Sequence, residues 1–366
     1  MKEKKESKIP HQLALNTSEA VLSGNPVIDD SLLPHFIKLR NLVFESFNAQ
    51  AVYAAAKVGI ADLLEEGPKS ADYLADATGN NPDALYRLLR ALASVGIFRE
   101  TSARAFELTP MAELLQENHP MSLRSFLLLI GDPIWREPWG NILYSIKTGE
   151  AAFDSIFKKS LFEYLEEHED AMELFQGYMT VSSIVDCPII SSSYPFSKFR
   201  KVIDIGGGRG SLLVHILRKH PSINGVLFDL PDVVQGAHEI DSDIAPRCEI
   251  VCGDFFKEVP EGGDLYILQQ IIHDWNDELA TRILANCRKA MADNGSLLVI
   301  DAVLVPGNSR DANKFMDLAM LVGHKGGRER TEAEFRRIFQ DAGLELTRII
   351  STASIFSMSI IEGKKN

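Results

Sequence analysis

Ten consecutive residues constrain this chain more than any others: Val202 to Ser211, reading VIDIGGGRGS. A short, mostly apolar, strand-like run passes straight into glycines at 206, 207, 208 and 210, and a helical pattern opens at Ser211. A strand that ends in glycines turns sharply and lets its backbone approach a ligand closely, because no Cβ stands in the way. The surrounding pattern fits that reading. After Phe199, apolar runs of strand length at 201–205, 225–230, 248–252, 264–268 and 296–301 alternate with helical stretches. Continuous apolar strands with helical crossovers predict a parallel sheet covered on both faces. Two later runs, 346–350 and 354–362, lie too close together for a parallel crossover and are expected to pair as an antiparallel hairpin on the sheet edge. The expected fold class is therefore α/β, a doubly wound, mainly parallel sheet of seven strands.

The chain, 366 residues long, has room for more than this sheet. Between 33 and 115 it is helix-rich, with Phe36, Leu39, Leu42, Val43 and Phe47 recurring at helical spacing. Residues 70–92 read as helix, turn, helix, with Pro82 at a helix start, and 96–100 with 105–109 as a short hairpin, which completes a winged-helix shape. Winged helices often enter DNA grooves. Here the second helix offers Leu85, Leu88, Leu89 and Leu92 beside only Arg87 and Arg90, in a chain whose formal net charge of −13 repels a phosphate backbone. No nucleic-acid partner is expected, and the unit reads as structural or dimerising. From 120 to 193 a second helical stretch is rich in aromatic side chains, among them Phe126, Trp135, Trp139, Phe162, Phe175 and Tyr178. The expected division is a poorly ordered basic tail at 1–28, a mainly helical winged-helix-like dimerisation domain at 29–118, a helical linker and pocket segment at 119–195, and the sheet domain at 196–366. No run approaches the ~20 apolar residues of a membrane span, and no signal-peptide core is present, so the expected compartment is the cytoplasm, without a membrane partner. Cys187, Cys248, Cys252 and Cys287 show no paired spacing and are expected to be free, buried thiols.

The glycines also discriminate between ligands. A dinucleotide fingerprint is GxGxxG, and its third glycine would stand where Ser211 does; glycines at 206, 208 and 210 behind the acidic Asp204 favour S-adenosylmethionine over NAD. Asp229 closes the second strand, where a carboxylate accepts ribose hydroxyls. Asp254 and Phe255 close the third, with a carboxylate for an adenine amino group and a ring to pack on the base. His273 follows the fourth strand, at the carboxyl edge where ligands of open α/β sheets bind.

Five motifs now stand in order: DIGGGRG from Asp204, FDLP from Phe228, GDFF from Gly253, HDW from His273 and GGRERTEAEF from Gly326. With them the chain, from about Leu33 to its end, resembles the class I, S-adenosylmethionine-dependent small-molecule O-methyltransferases, which include plant caffeic acid and isoflavone enzymes and bacterial polyketide-tailoring enzymes. The resemblance implies a Rossmann-like sheet and a cofactor site of Asp204, Gly206, Gly208, Asp229, Leu230, Gly253, Asp254, Phe255 and Gln269, with the two glycines on the methionine side. It implies His273 as general base, flanked by Asp301 and Glu329, and an acceptor pocket containing Phe175, Met179, Met316, Met320 and His324. A homodimer is implied too, formed through the N-terminal unit, which closes part of the partner's pocket. Asp301 replaces a glutamate usual in the plant enzymes, and Gln269 stands where they often carry a cation.

The expected reaction moves a methyl group in line from S-adenosylmethionine to a hydroxyl of a small aromatic, phenolic or polyketide-like acceptor, leaving S-adenosylhomocysteine and needing no metal. A phenol titrates near ~10 and an imidazole near ~6.5, so proton removal must accompany attack on the methyl. His324 is expected to hydrogen-bond an acceptor oxygen. Three other readings stand beside this one: a hydroxylase or decarboxylase of the same fold, a methyltransferase acting at nitrogen or carbon, and a winged-helix regulatory protein with a ligand domain.

Overall fold

The computed structural model describes residues 31–101, 104–234 and 243–365. The expected basic tail at 1–28 lies outside the described residues. Helix α1 (Leu33–Val58) leaves Phe36, Leu39, Leu42, Val43 and Phe47 exposed. The chain falls into two compact units, one ending at Val52 and the other beginning at Tyr53.

In the second unit, β1 (Lys69–Ser70) leads into α2 (Ala71–Thr78), and α3 (Pro82–Ser94) follows. Each helix begins where its sequence supplies a cap: Ser70 accepts from the Tyr73 amide, and Asn81 from the amides of Asp83 and Ala84, with Pro82 at the first helical position. Helix α3 buries Leu85, Leu89 and Leu92, leaving Arg87 and Arg90 exposed. Strands β2 (Phe98–Glu100) and β3 (Ala105–Leu108) pair antiparallel, and β1 joins the other side of β3, so the helix-turn-helix and hairpin form as expected.

Two later helices shape the site, α4 (Leu161–Glu167), started by a capping box of Ser160 and Glu163, and the long α5 (Glu169–Ser193). The sheet domain then runs β4 (Lys201–Ile205), α6 (Ser211–Lys219), β5 (Asn224–Asp229), β6 (Cys248–Cys252), β7 (Leu265–Gln269), α7 (Asp277–Ala290), β8 (Ser296–Leu304), α8 (Asn313–Gly323), β9 (Arg330–Thr331), α9 (Glu332–Asp341), β10 (Leu344–Ser351) and β11 (Met358–Lys365). The strands lie in the order β10-β11-β8-β7-β4-β5-β6, with β9 pairing the end of β8. Strands β4 to β8 are mutually parallel, and β11 is antiparallel to both β8 and β10.

The C-terminal hairpin forms as expected, antiparallel and at the sheet edge, with β11 pairing β8 and β10 outermost. The reason is visible in burial: both Ile360 and Ile361 of β11 are fully buried, whereas β10 alternates buried and exposed positions at its start. At the opposite edge, β6 has one neighbour and exposes Glu249, Ile250 and Cys252, so the expectation of buried thiols holds for Cys187 and Cys287 but not for Cys252.

Alternate residues of the central strands feed two cores, one on each face of the sheet. Ile203, Ile205, Tyr266 and Leu268 pack with Ile283 and Leu284 of α7 and Phe335 and Phe339 of α9. Val202, Leu265 and Ile267 pack instead with Leu213 and Ile216 of α6 and with Ile190 near the end of α5. That two-sided cover makes the strands apolar throughout, and it leaves the carboxyl ends of β4 and β7, where the strand order reverses, as the open crevice.

Candidate active site

At the end of β4 the chain turns through three glycines with positive φ, Gly206 at 67°, Gly208 at 58° and Gly210 at 81°. The Gly206 amide donates to the Phe228 carbonyl across 2.8 Å, which keeps the turn in register with β5. A Cβ at Gly206 would fall 2.5 Å from the end of the Ile271 side chain, which would have to shift, and the positive φ is what asks for glycine here. Asp229 ties the turn to the next strand: its Oδ2 accepts from the Gly208 amide at 2.8 Å and its Oδ1 from the Leu230 amide at 2.7 Å. Burial raises the Asp229 pKa, and those two amides act against the rise. Asp204 is only 2% exposed, and its Oδ1 has no hydrogen-bond partner among the described residues. Burial, reinforced by the nearby Asp229 charge, pushes it up to about 7. Asp254 is partly engaged locally, its Oδ1 accepting from the Phe256 amide at 2.9 Å.

These groups border a cavity of about 720 Å³. Every residue expected at the cofactor borders it except Gly253, which borders a second cavity that shares Leu230 and Asp254 with the first. A buried carboxylate oxygen without a partner, a carboxylate at the end of β5 and a turn stripped of side chains fit a nucleoside that carries an ammonium group. Phe175 and Met179 of α5 border the same cavity, as expected for an acceptor pocket. Met316, Met320 and His324 do not border it: Met316 is 38% exposed, while Met320 and His324 are buried. Aromatic rings close the wall, with Trp275 edge-on to Phe256 at 4.7 Å between centroids and stacked with Phe162 at 6.4 Å.

His273 sits in a single 3-10 turn, Ile272–Asp274, reached from β7 through Gln270, a non-glycine residue at φ 54°. Such a conformation persists where its surroundings enforce it. Here the segment around β9 does so: the Arg328 amide donates to the His273 carbonyl at 2.7 Å, and the fully buried Arg330 guanidinium donates to the carbonyls of Ile272 at 2.9 Å and Trp275 at 2.7 Å and to Asp277 at 3.0 Å. The backbone on both sides of the histidine is thus clamped by one side chain.

The imidazole Nδ1 lies 2.9 Å from Glu329 Oε1 and donates to it, which leaves Nε2 as the acceptor nitrogen whenever the ring is neutral. Nε2 faces Asp274 Oδ1 at 3.6 Å, and the same oxygen lies 3.4 Å from Nδ1 of His324. Burial opposes a charge on His273, but Glu329, Asp274 and Asp301 outweigh it and raise the imidazole to about 10. Asp301 is fully buried on β8, and burial lifts it to about 7 against the pull of His273. It does not flank the imidazole by hydrogen bonding, since neither of its carboxylate oxygens has a partner among the described residues. Burial pushes His324 down, with Asp274 opposing and His273 reinforcing that shift.

Sequence reasoning missed Asp274 and Arg330. Both stand inside quoted motifs, yet nothing in a one-dimensional pattern distinguishes a buried arginine that holds carbonyls from a solvated one. Among the described residues no cluster of His, Cys, Asp and Glu has the arrangement of a metal site, and no helix among them is long and apolar enough to cross a membrane.

Comparison with known proteins decides the family. The O-methyltransferase domain family matches residues 139–345, and the O-methyltransferase dimerisation domain family matches residues 41–118. This chain belongs to the O-methyltransferase family. It is 41% identical over 317 residues to a phenazine O-methyltransferase, PhzM, of Lysobacter antibioticus, covering 86% of this chain and 92% of that protein. It is 34% identical over 316 residues to an 8-amino-8-demethylriboflavin N,N-dimethyltransferase of Streptomyces davaonensis, covering 85% of this chain and 90% of that one. An O-methyltransferase from neocarzinostatin biosynthesis, solved with S-adenosylmethionine and 2-hydroxy-5-methyl naphthoic acid, matches with a TM-score of 0.76 at 31% identity, over 87% of this chain and 96% of that one. The chain is an S-adenosylmethionine-dependent O-methyltransferase with a dimerisation domain ahead of its catalytic fold.

Proposed function

We propose that this O-methyltransferase methylates a hydroxyl of a small aromatic molecule and that His273 is the general base. The observation that carries the reading is the Nδ1–Glu329 hydrogen bond of 2.9 Å, which leaves Nε2 of the neutral ring to receive a proton next to Asp274; His273 itself does not line the aromatic-walled cavity, and Asp274 stands between the two as a lining residue. S-adenosylmethionine supplies an electrophilic methyl group when bound. On this reading Asp204, Gly206, Gly208, Asp229 and Leu230 hold its amino acid and ribose portions, and Asp254, Phe255 and Gln269 border its base. Phe175, Met179 and Trp275 cover the acceptor ring and exclude water from it, which strengthens the electrostatics around the moving proton.

A ring raised to about 10 is protonated at neutral pH, so His273 serves as base only after giving up its Nε2 proton; in that neutral form it exchanges a proton with a phenol near ~10 at little cost in free energy. A neutral amine acceptor needs no such base, so the relationship to an N,N-dimethyltransferase carries less weight than the intact His273–Glu329 pair. A homodimer is the expected assembly, supported by the dimerisation-domain match and by the exposed apolar residues of α1. Analytical ultracentrifugation at micromolar concentration reads it directly.

The test is His273→Ala, assayed against a panel of phenols, hydroxynaphthoates and hydroxyphenazines by mass of the methylated product. Turnover falls by ~10²–10⁴ while calorimetric affinity for S-adenosylhomocysteine is unchanged. Turnover within a few-fold of the parent protein overturns the assignment of the base.

A further inference from the structure

One side chain near the base faces two imidazoles at once. Asp274 Oδ1 lies 3.6 Å from Nε2 of His273 and 3.4 Å from Nδ1 of His324, and the Asp274 side chain borders the cavity. Both histidines are 9% exposed. His324 is held from its other side by the edge-on ring of Phe162, 5.7 Å away, and its backbone carbonyl accepts from the Gly327 amide at 3.1 Å, in the loop that leads to Glu329. The three groups form a row: an imidazole whose other nitrogen is committed to Glu329, a carboxylate that borders the cavity, and a second imidazole, with neither ring in the cavity lining.

The row sets up a competition. An acceptor oxygen that gives its proton to Nε2 must come within about 2.6–3.2 Å of it. That is nearer than Asp274 now stands, and a carboxylate drawn fully onto Nε2 would both occupy the approach and favour the protonated ring, which cannot take up the acceptor's proton. Resting on the reading of His273 as the base, we propose that His324 is a positioning residue: its Nδ1–H holds the Asp274 carboxylate off Nε2 and so keeps that nitrogen open to the acceptor hydroxyl. This role stands in place of the expectation that His324 itself binds an acceptor oxygen, because its Nδ1 is turned to Asp274.

The charge pattern agrees. The titratable groups that face His324 are Asp274 and His273, and those that face His273 are Glu329, Asp274 and Asp301. His324 is depressed by burial and His273 raised by its carboxylates, so the proton shared in this row resides on His273 and the neutral His324 is free to act as a donor. Losing that donor gives Asp274 to Nε2 alone, which raises the basicity of His273 further.

The experiment is a titration of ¹³Cε1-labelled histidines by NMR in protein saturated with S-adenosylhomocysteine, with the His273 signal identified by its loss in His273→Ala. In His324→Leu the His273 midpoint moves up by about half a pH unit or more. In His324→Asn, whose side-chain amide offers Asp274 a donor in place of the Nδ1 that lies 3.4 Å from it, the midpoint stays at the parent value. An unmoved midpoint in His324→Leu, or equal upward shifts in Leu and Asn variants, overturns the proposal, since a merely structural histidine would not distinguish the two. The result separates from the reading beneath it: retained turnover in His273→Ala removes the base, whereas an inactive His273→Ala with an unmoved midpoint in His324→Leu removes only the role of His324.

Discussion

The glycine turn and the imidazole cluster both bury carboxylates, and they differ in whether a group able to carry positive charge stands among them. At the glycine turn, Asp204 and Asp229 are compensated by backbone amides or by nothing, and the charge of Asp229 adds to burial in lifting Asp204 to about 7. At the imidazole end, Glu329, Asp274 and Asp301 surround a group that can take a proton, and it is the imidazole that moves, up to about 10, while its charge restrains the rise at Asp301. Burial alone therefore does not set the charge state of a site. What decides it is whether a neighbour can carry the opposite charge: the glycine turn is built to receive a cation, and the imidazole end already holds one.

The strongest way to break this contrast is to remove the clamp at the imidazole end. Arg330→Met strands the carbonyls of Ile272 and Trp275 in the interior, and the expected loss of stability in urea unfolding is about 3–5 kcal/mol. A loss within a few tenths of a kcal/mol would mean that the turn carrying His273 holds itself. Glu329→Gln is expected to act next most strongly. The amide still accepts from Nδ1, so the ring stays aimed, but the negative charge is gone; turnover falls by ~10²-fold and the His273 midpoint moves down from about 10. An unchanged midpoint would show that Asp274 and Asp301 alone sustain the shift.

The smallest effect belongs to the glycine turn. With Asp204 raised to about 7, the folded protein holds a proton that the unfolded chain has released above ~4, so stability from this group falls as pH rises from about 4 to 7. A bound ammonium group favours the ionised carboxylate, so S-adenosylhomocysteine binds more tightly as pH rises through about 7. In Asp204→Asn that dependence, ~tenfold across the range, flattens in calorimetry between pH 5.5 and 8. His273 has the opposite chemistry but the same slope at higher pH: its protonated form contributes stability below ~6.5 that is lost as pH climbs through about 10. A slope for cofactor binding that survives in Asp204→Asn would transfer the glycine-end titration to Asp229.

Much of the glycine end was legible in the residues. VIDIGGGRGS announces a strand, a turn that needs glycine and a helix start, and each partner of that turn lies on the adjacent strand, as with the Gly208–Asp229 bond. The same holds for α3, whose Asn81 cap and Pro82 start are written in consecutive residues. The alternation of apolar runs likewise determined the parallel sheet, because two-sided burial demands apolar residues at every strand position.

What only the tertiary structure decided lies where partners are far apart in the chain. Glu329 reaches His273 across 56 positions and Arg330 reaches Ile272 across 58. No periodicity records such a pairing, since it depends on β9 docking against the end of β8 and bringing a loop over the histidine turn. The insertion of β11 beside β8, the exposure of Cys252 on an edge strand and the turning of His324 toward Asp274 are of the same kind. Local sequence specifies which backbone shapes and charges are available; the low-dielectric interior assembled from distant segments decides which of those charges face one another, and it is there that the base acquires its proton affinity.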